Sequence, residues 1–254
     1  MKTPKTNNDI CYKRTFLKEV IARVDFLNPI QGLKGILPKE LNDFIKKNFP
    51  VPESNKAFTH SFQVKGEKIK TAKEEFDQWD FHGLEKEKTI SLSKNFLLVS
   101  YKKYGNYNDL KNEFLSSAKI LSDHFPEAQV SRSGLRYINV IKINESEPLD
   151  WSKYINPKLL QSMDFNSKES LIRYFNLSEY KFENINMKHH YGIFNPDYPA
   201  LIKNKEFILD FDAYYNGLHE LSLLNEIFKE FHAKIQIHFE NSITDDLRRQ
   251  MNEE

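Results

Sequence analysis

Alternation of apolar and polar residues over short segments restricts the fold of this chain more than any other feature. Residues 15–26, 128–143 and 205–215 alternate with a period close to two. That period is typical of β-strands that bury one face. In the first segment, the apolar residues that mostly share a face are Phe16, Val20, Ala22 and Val24. These segments predict a sheet.

A meander of strands is predicted over residues 57–104. Lys94 and Asn95 separate two of its apolar runs. Because Asn tolerates left-handed backbone, this pair suits a hairpin turn. Further strands are predicted over 171–180 and 182–195, so that the sheet as a whole is predicted to be antiparallel.

Two long segments carry apolar residues at helical spacing instead. In 108–125, with Asn108 as the predicted N-cap, the stripe is Leu110, Phe114, Leu115, Ala118, Leu121 and Phe125. In 218–242, the stripe is Leu221, Leu224, Phe228, Phe231 and Ile235. Such stripes predict helices that pack one face on a sheet. A shorter helix is predicted over 37–49 and a last turn or helix from Thr244. The predicted fold class is α+β, with antiparallel sheet backed by two long amphipathic helices.

The order of elements repeats within the chain. In 90–125 and again in 201–239, a hairpin that turns at a Lys-Asn or Asn-Lys pair precedes an aromatic-rich strand and a long helix. One interpretation is a degenerate ββα duplication that gives two ferredoxin-like halves. The other is that two hairpin–helix units resemble each other without a common origin.

The chain is predicted to form one compact unit with four parts. These are a flexible arm over 1–13, an α+β half over 14–145, a linker over 146–170 and a second α+β half over 171–254. The linker is rich in Asn, Ser, Glu and Pro.

Composition weighs against several classes of protein. Lys and Arg number 37 against 36 Asp and Glu. This near-neutral charge does not support binding to nucleic acid, although it does not rule out such a partner. Cys11 is the only cysteine, which rules out an intrachain disulfide and a thiolate metal cluster. No apolar run approaches the roughly 18 residues that span a membrane, and residues 1–8 lack the apolar core of a signal peptide. We expect a cytoplasmic protein that does not enter the membrane.

Four charged residues form the main candidate site. A strand over 132–141 places Arg132 and Arg136 on one face, and a strand over 207–215 places Asp210 and Asp212 on one face. In one interpretation, the two strands lie side by side and the opposite charges pair across the sheet. In a second, the charges line a pocket for a ligand or partner. In a third, the two carboxylates hold Mg²⁺.

Tyr137 and Asn139, on the other face of the first strand, complete the set of candidate binding residues. The histidines are predicted to be solvated or to cap helices. His189 and His190 are adjacent, so that on a strand they face opposite ways and cannot act together. The sequence predicts no catalytic residue, no metal ligand set and no cofactor.

Four segments resemble a sporadically distributed family of bacterial and archaeal proteins of uncharacterised function and about this length. They are LKEV (17–20), RSGLRYINVI (132–141), ILDFDAYY (208–215) and FHAKIQIHFENSITDDLRRQM (231–251). The resemblance covers nearly the whole chain and brings no known activity or site residue. Patchy distribution implies mobile genes, such as those of phage-defence islands.

Three functions follow as hypotheses. The first is a non-catalytic binding or interaction component of such a gene system, with a protein partner. The second is a metal-dependent phosphodiester or nucleotidyl-transfer enzyme that uses Asp210 and Asp212. The third is an RNA-binding or RNA-processing protein of two ferredoxin-like halves, like the repeat-RNA endonucleases of CRISPR systems. Those endonucleases carry a Gly-rich loop near the C-terminus, whereas no glycine follows Gly217 here.

Overall fold

Nine strands of the described chain form one open antiparallel sheet. The computed structural model describes residues 11–65 and 68–252, so the predicted arm lies outside the described residues as far as residue 10. The strand order is β2-β3-β4-β5-β1-β6-β9-β8-β7. The strands are β1 Leu17–Phe26, β2 Val51–Lys65, β3 Lys68–His82, β4 Lys88–Ser93, β5 Phe96–Tyr101, β6 Gln129–Lys142, β7 Tyr174–Lys181, β8 Asn186–Ile193 and β9 Glu206–Glu220. The α+β class and the antiparallel sheet are confirmed.

Five α-helices accompany the sheet in the part of the chain that the structure describes. They are α1 Lys39–Asn48, α2 Tyr107–His124, α3 Pro157–Leu160, α4 Leu224–Ser242 and α5 Asp245–Asn252. The two long helices pack on the middle of the sheet, α2 on β5 and β1 and α4 on β6 and β9. None of the helices among the described residues is both long enough and apolar enough to cross a membrane.

Three local predictions are wrong. The N-cap of α2 is Asn106 rather than Asn108, because the Asn106 side chain accepts a hydrogen bond from the backbone N–H of Asp109 at 3.0 Å. The predicted helix over 218–242 begins only at Leu224, since residues up to Glu220 continue the pairing of β9 with β6. The second repeat does not turn at Asn204 and Lys205, because residues 194–205 form a long connection between β8 and β9.

The two faces of the sheet differ in character. The face beneath α2 and α4 is apolar and buried, and it includes Val20, Ala22 and Val24 as their alternation predicts. The other face, called here the open face, presents the alternate residues of each strand, on the side away from α2 and α4. On β6 these are Arg132, Gly134, Arg136 and Ile138, whose burial is only partial except at the glycine. Side-chain period thus separates an apolar core from a polar surface.

The predicted linker contributes to the core. Trp151, Tyr154 and Ile155 are buried, and Ile155 forms a β-bridge to Ile243. The Trp151 ring packs on Phe207 of β9 with 5.2 Å between ring centroids. The strand ladder between β6 and β9 joins the two predicted halves in one sheet.

His189 and His190 face opposite ways, as predicted, but His189 is not solvated. It lies under α4, is 2% exposed and stacks on Phe211 at 4.4 Å. Burial, helped by the neighbouring His238, lowers the pKa of His189 to about 3. The folded chain therefore holds this imidazole neutral.

Replacement of Phe228 by Ala should destabilise the fold by about 3–5 kcal/mol, because it removes a fully buried ring from the core. Phe228 lies 4.8 Å from the Phe114 ring and 5.4 Å from the Phe231 ring, centroid to centroid. Urea denaturation would measure the loss. Leu223→Ala is the control, since Leu223 is about half exposed and should change the stability little. Equal losses in the two variants would contradict this packing of α4.

The stability of the fold should fall as the pH is lowered from about 6.5 towards 3. In that window the unfolded chain protonates His189 and the folded chain does not, so each pH unit costs up to about 1.4 kcal/mol. His189→Phe keeps a ring against Phe211 and removes the proton, and its stability should decline less steeply over the same window. Chemical denaturation at several pH values would measure both slopes. Parallel curves for the two proteins would contradict the prediction.

Candidate functional site

Arg136 and Asp210 form a two-pronged ion pair on the open face. Arg136 donates from Nε to Asp210 Oδ1 at 2.8 Å and from Nη2 to Asp210 Oδ2 at 2.6 Å. The register puts Arg136 directly opposite Asp212 and puts Ile138 opposite Asp210, so the fork reaches diagonally across β9. Asp210 is almost fully buried. Two parallel charge-assisted hydrogen bonds fix the geometry of this pair.

Arg132 extends the charge pairing along the same face. Its Nη2 lies 3.4 Å from Asp212 Oδ2, and its Nη1 lies 3.9 Å from Asp25 Oδ2 on β1. Asp25 in turn accepts from Arg23 at 2.6 Å. Arg132 reaches Asp212 because it lies over Gly134, where an added Cβ would sit 3.0 Å from Arg132 Nη1. The result is a chain of alternating charges across β1, β6 and β9.

Burial opposes the negative charge of Asp212, although two arginines lie beside it. Desolvation raises the pKa of Asp212, although Arg132 and Arg136 act to lower it. On the other side of the network, the hydrogen bond to Asp210 raises the pKa of Arg136. The fold thus disfavours the charge of Asp212, whereas the Arg136 fork binds Asp210.

The predicted pairing of the two strands is confirmed, and the metal interpretation has less support. Arg136 occupies both oxygens of Asp210, and His190 Nδ1 lies 3.7 Å from one of them. A divalent cation there would have to displace the guanidinium. Within residues 11–65 and 68–252, no group of three or more His, Cys, Asp or Glu side chains is arranged to hold a metal ion.

Tyr137 and Asn139 lie on the opposite face of β6, so the six candidate residues do not form one site. Both line a cavity of about 160 Å³ between the sheet, α4 and the start of α2. Asn139 donates from Nδ2 to the carbonyl of Leu209 at 3.1 Å and is held in place by that bond. The exposed residues Cys11 and Thr15 line the opening of the cavity.

A chain of three polar groups forms one wall of the cavity. The hydroxyls of Tyr104 and Tyr137 are 2.9 Å apart, and the Tyr137 hydroxyl is 3.0 Å from Nδ1 of His232 on α4. The Tyr107 ring stacks on the His232 ring at 3.9 Å with nearly parallel planes. Tyr107 is itself anchored, since its hydroxyl donates to the carbonyl of Phe228 at 2.8 Å. This wall is polar at its centre and aromatic around it.

A second polar group at the cavity is satisfied within the chain. Glu240 supplies the only carboxylate among the described lining residues. One of its oxygens accepts from the Tyr12 hydroxyl at 2.6 Å and the other from Arg248 Nε at 2.8 Å. Burial and the bond to Glu240 raise the pKa of Tyr12 well above its usual range. Glu240 is therefore engaged by the chain's own groups, and the other polar side chains of the lining include hydroxyl, amide and imidazole groups.

Sequence reasoning missed most of this cavity. Tyr104 and Tyr107 lie in the loop before α2 and at its first residue, whereas His232 lies on α4, far away in the chain. From the sequence, Tyr104 and Tyr107 are expected to cover the sheet edge and the helix start or, alternatively, to stack single-stranded bases, and the histidines are expected to be solvated or to cap helices. One signal was present: Tyr137 and Asn139 are polar residues on the face of β6 that otherwise carries core residues such as Leu135 and Ile141.

Comparison with known proteins adds no family to this description: a scan against family models matches none, and a search of curated proteins finds no significant similarity.

Asp210→Asn should lower the stability of the fold by about 1–3 kcal/mol, since it leaves the Arg136 fork without its charged acceptor. Asp212→Asn should change the stability by less than about 0.5 kcal/mol. The reason for the difference is that the fold already disfavours the charge of Asp212, as its raised pKa indicates. Urea denaturation at neutral pH would compare the two isosteric variants. A larger loss in Asp212→Asn would contradict this assignment.

Proposed function

We propose that this chain is a non-catalytic binding protein whose cavity takes a small, neutral, planar heteroaromatic molecule. The observation that carries the proposal is the wall of Tyr104, Tyr137 and His232, whose linked polar groups face an otherwise largely apolar cavity. Binding sites for small molecules combine an apolar lining with a few placed polar groups in this way.

The size and chemistry of the lining support this ligand class. The cavity of about 160 Å³ is below the roughly 300–1,000 Å³ typical of drug-sized sites, which favours a ligand of one or two fused rings. Phe239, Tyr104 and Ile235 offer flat or apolar surface to a ring. The polar edge of the ligand would meet the hydroxyls and imidazole. Glu240 is paired with Tyr12 and Arg248, which favours a neutral ligand over a cationic one.

The metal-dependent phosphodiester or nucleotidyl-transfer alternative has weaker support. It assigns Asp210 and Asp212 to Mg²⁺, yet Arg136 and Arg132 contact those carboxylates. The RNA-processing alternative, with two ferredoxin-like halves, draws on the order β4-β5-α2 and β8-β9-α4. Its open face carries arginines that are paired with aspartates, which leaves little cationic surface for phosphate.

The setting of the protein follows the resemblance described above. We place it in the cytoplasm as a component of a mobile or phage-defence gene system, in which ligand binding would be passed on to a protein partner. The clustering of its gene with defence genes in several genomes would support this setting. An isolated housekeeping context would count against it.

Adenine should bind in the cavity and indole, of similar size, should bind more weakly, because adenine has both donors and acceptors that can join the Tyr104–Tyr137–His232 chain, whereas indole has a single N–H donor. Tyr137→Phe should weaken the binding of adenine about tenfold, which corresponds to the loss of about one hydrogen bond. Isothermal titration calorimetry would measure both ligands with both proteins.

Two further variants make this test specific to the cavity. Tyr180→Phe removes a hydroxyl from β7, outside the cavity lining, and should leave adenine affinity unchanged. Gln236→Trp places a large ring in the cavity and should abolish binding while the protein stays folded. If neither adenine nor indole binds, or if Gln236→Trp binds as the unaltered protein does, the proposed site is wrong.

A further inference from the structure

Strand β7 is an edge of the sheet that lacks two common protections against pairing with another strand. It pairs with β8 over its whole length without a bulge, and it contains no proline. The opposite edge strand, β2, carries Pro52 near its start. An edge of regular strand exposes a row of backbone donors and acceptors that can pair with a further strand.

The backbone groups that point outward from β7 belong to its odd-numbered residues. At the turn after β7, the N–H of Phe182 donates to the carbonyl of Ile185 at 2.8 Å. In an antiparallel pair, hydrogen-bonded and non-hydrogen-bonded positions alternate. Even-numbered residues of β7 therefore bond to β8. Phe175, Leu177 and Glu179 turn their N–H and C=O groups away from the protein.

The side chains of this edge combine exposed apolar residues with opposite charges. Phe175 and Leu177, which lie on the open face, are 49% and 56% exposed. Arg173 and Glu179 are exposed and follow the same alternation on either side of them. Within the chain, Arg173 lies over the Tyr198 ring at 4.2 Å, and Glu179 accepts a hydrogen bond from the Tyr214 hydroxyl. Two large exposed apolar residues on a regular edge strand are typical of an interaction surface.

One symmetric register makes this edge complementary to itself. If two copies pair antiparallel with Asn176 on the two-fold axis, Phe175 lies opposite the partner's Leu177, and Arg173 lies opposite the partner's Glu179. The two-fold axis generates a second, identical copy of each of these two contacts. Apolar side chains then meet apolar ones, and each arginine meets a carboxylate.

Neighbouring registers lack this match. With the axis at Leu177, Arg173 would lie opposite the partner's Lys181, and Phe175 opposite the partner's Glu179. With the axis at Ser178, Leu177 would lie opposite the partner's Glu179. Each of these registers opposes like charges or places an apolar side chain against a charge, which disfavours it.

We propose that two copies of this chain associate through β7, antiparallel and centred on Asn176, so that one sheet continues across the dimer. Asn176 gives a further reason for this axis. Its Nδ2 is buried and makes no hydrogen bond to the described residues. Across a two-fold axis, rotation of the two side chains lets each amide donate to the carbonyl oxygen of the other.

Cysteine cross-linking tests the register directly. In a Cys11→Ser background, Asn176→Cys should form a disulfide-linked dimer under mild oxidation. The two Cα atoms of a non-hydrogen-bonded antiparallel pair lie about 4.5 Å apart, within the range of a disulfide. Ser178→Cys is the matched control, on the same side of the same strand, and should not cross-link to itself. Cross-linking of Ser178→Cys in place of Asn176→Cys would overturn the proposal.

Charge reversal tests the association without added cysteines. Arg173→Glu and Glu179→Arg should each weaken the dimer at least about tenfold in sedimentation equilibrium, and the double variant should restore most of the affinity. Circular dichroism would confirm that each variant is folded. A monomeric unaltered chain at all concentrations, or a double variant no tighter than the single ones, would overturn the proposal.

Discussion

The pairing of β6 with β9 is the contact on which the rest of the structure depends. It joins segments about seventy residues apart, so the chain must close a long loop before the contacts between β6 and β9 can form. Its register decides which side chains enter the core. A slip of one residue would turn Arg136 towards the helices and Tyr137 towards the open face. Buried Asp210 meets the Arg136 fork in the observed register. The ion pair therefore favours this register over shifted ones, and this specificity is a larger effect than its net contribution to the free energy of unfolding.

The two faces of β6 carry different chemistry for the same reason. Alternate residues point to opposite sides, so Arg132 and Arg136 enter a charge network while Tyr137 and Asn139 line a cavity. The network satisfies its own charges, which makes it a poor receptor for an ion. The cavity is different, because its hydroxyls and imidazole lie around a volume that the chain does not fill. The polar groups around this unfilled volume therefore lie beneath the helices, on the side of the strand that sequence patterns assign to the core.

Local patterns predicted the sheet, its faces and the buried stripe of α4, because each depends on residues close together in the chain. Boundaries were less predictable: residues 218–220 have helical spacing, yet pairing with Gln129 and Val130 keeps them extended. The Arg136–Asp210 contact was predictable because each strand shows its charges on one face. The Tyr104–Tyr137–His232 chain was not, since spacing within one segment does not show which loop lies over which strand.

The compensated charges of the open face also limit where a macromolecular partner can be recognised. Lys and Arg number 37 against 36 Asp and Glu, and the central arginines of the sheet are paired with aspartates, so little net field extends from this surface. The proposed self-association would then depend chiefly on shape, apolar contact and backbone hydrogen bonds. At the β7 edge, Phe175 and Leu177 offer the apolar contact and the odd-numbered residues offer the backbone groups. Because the charges at the centre of the sheet are paired with one another, the β7 edge is the more favourable place for a second chain to bind.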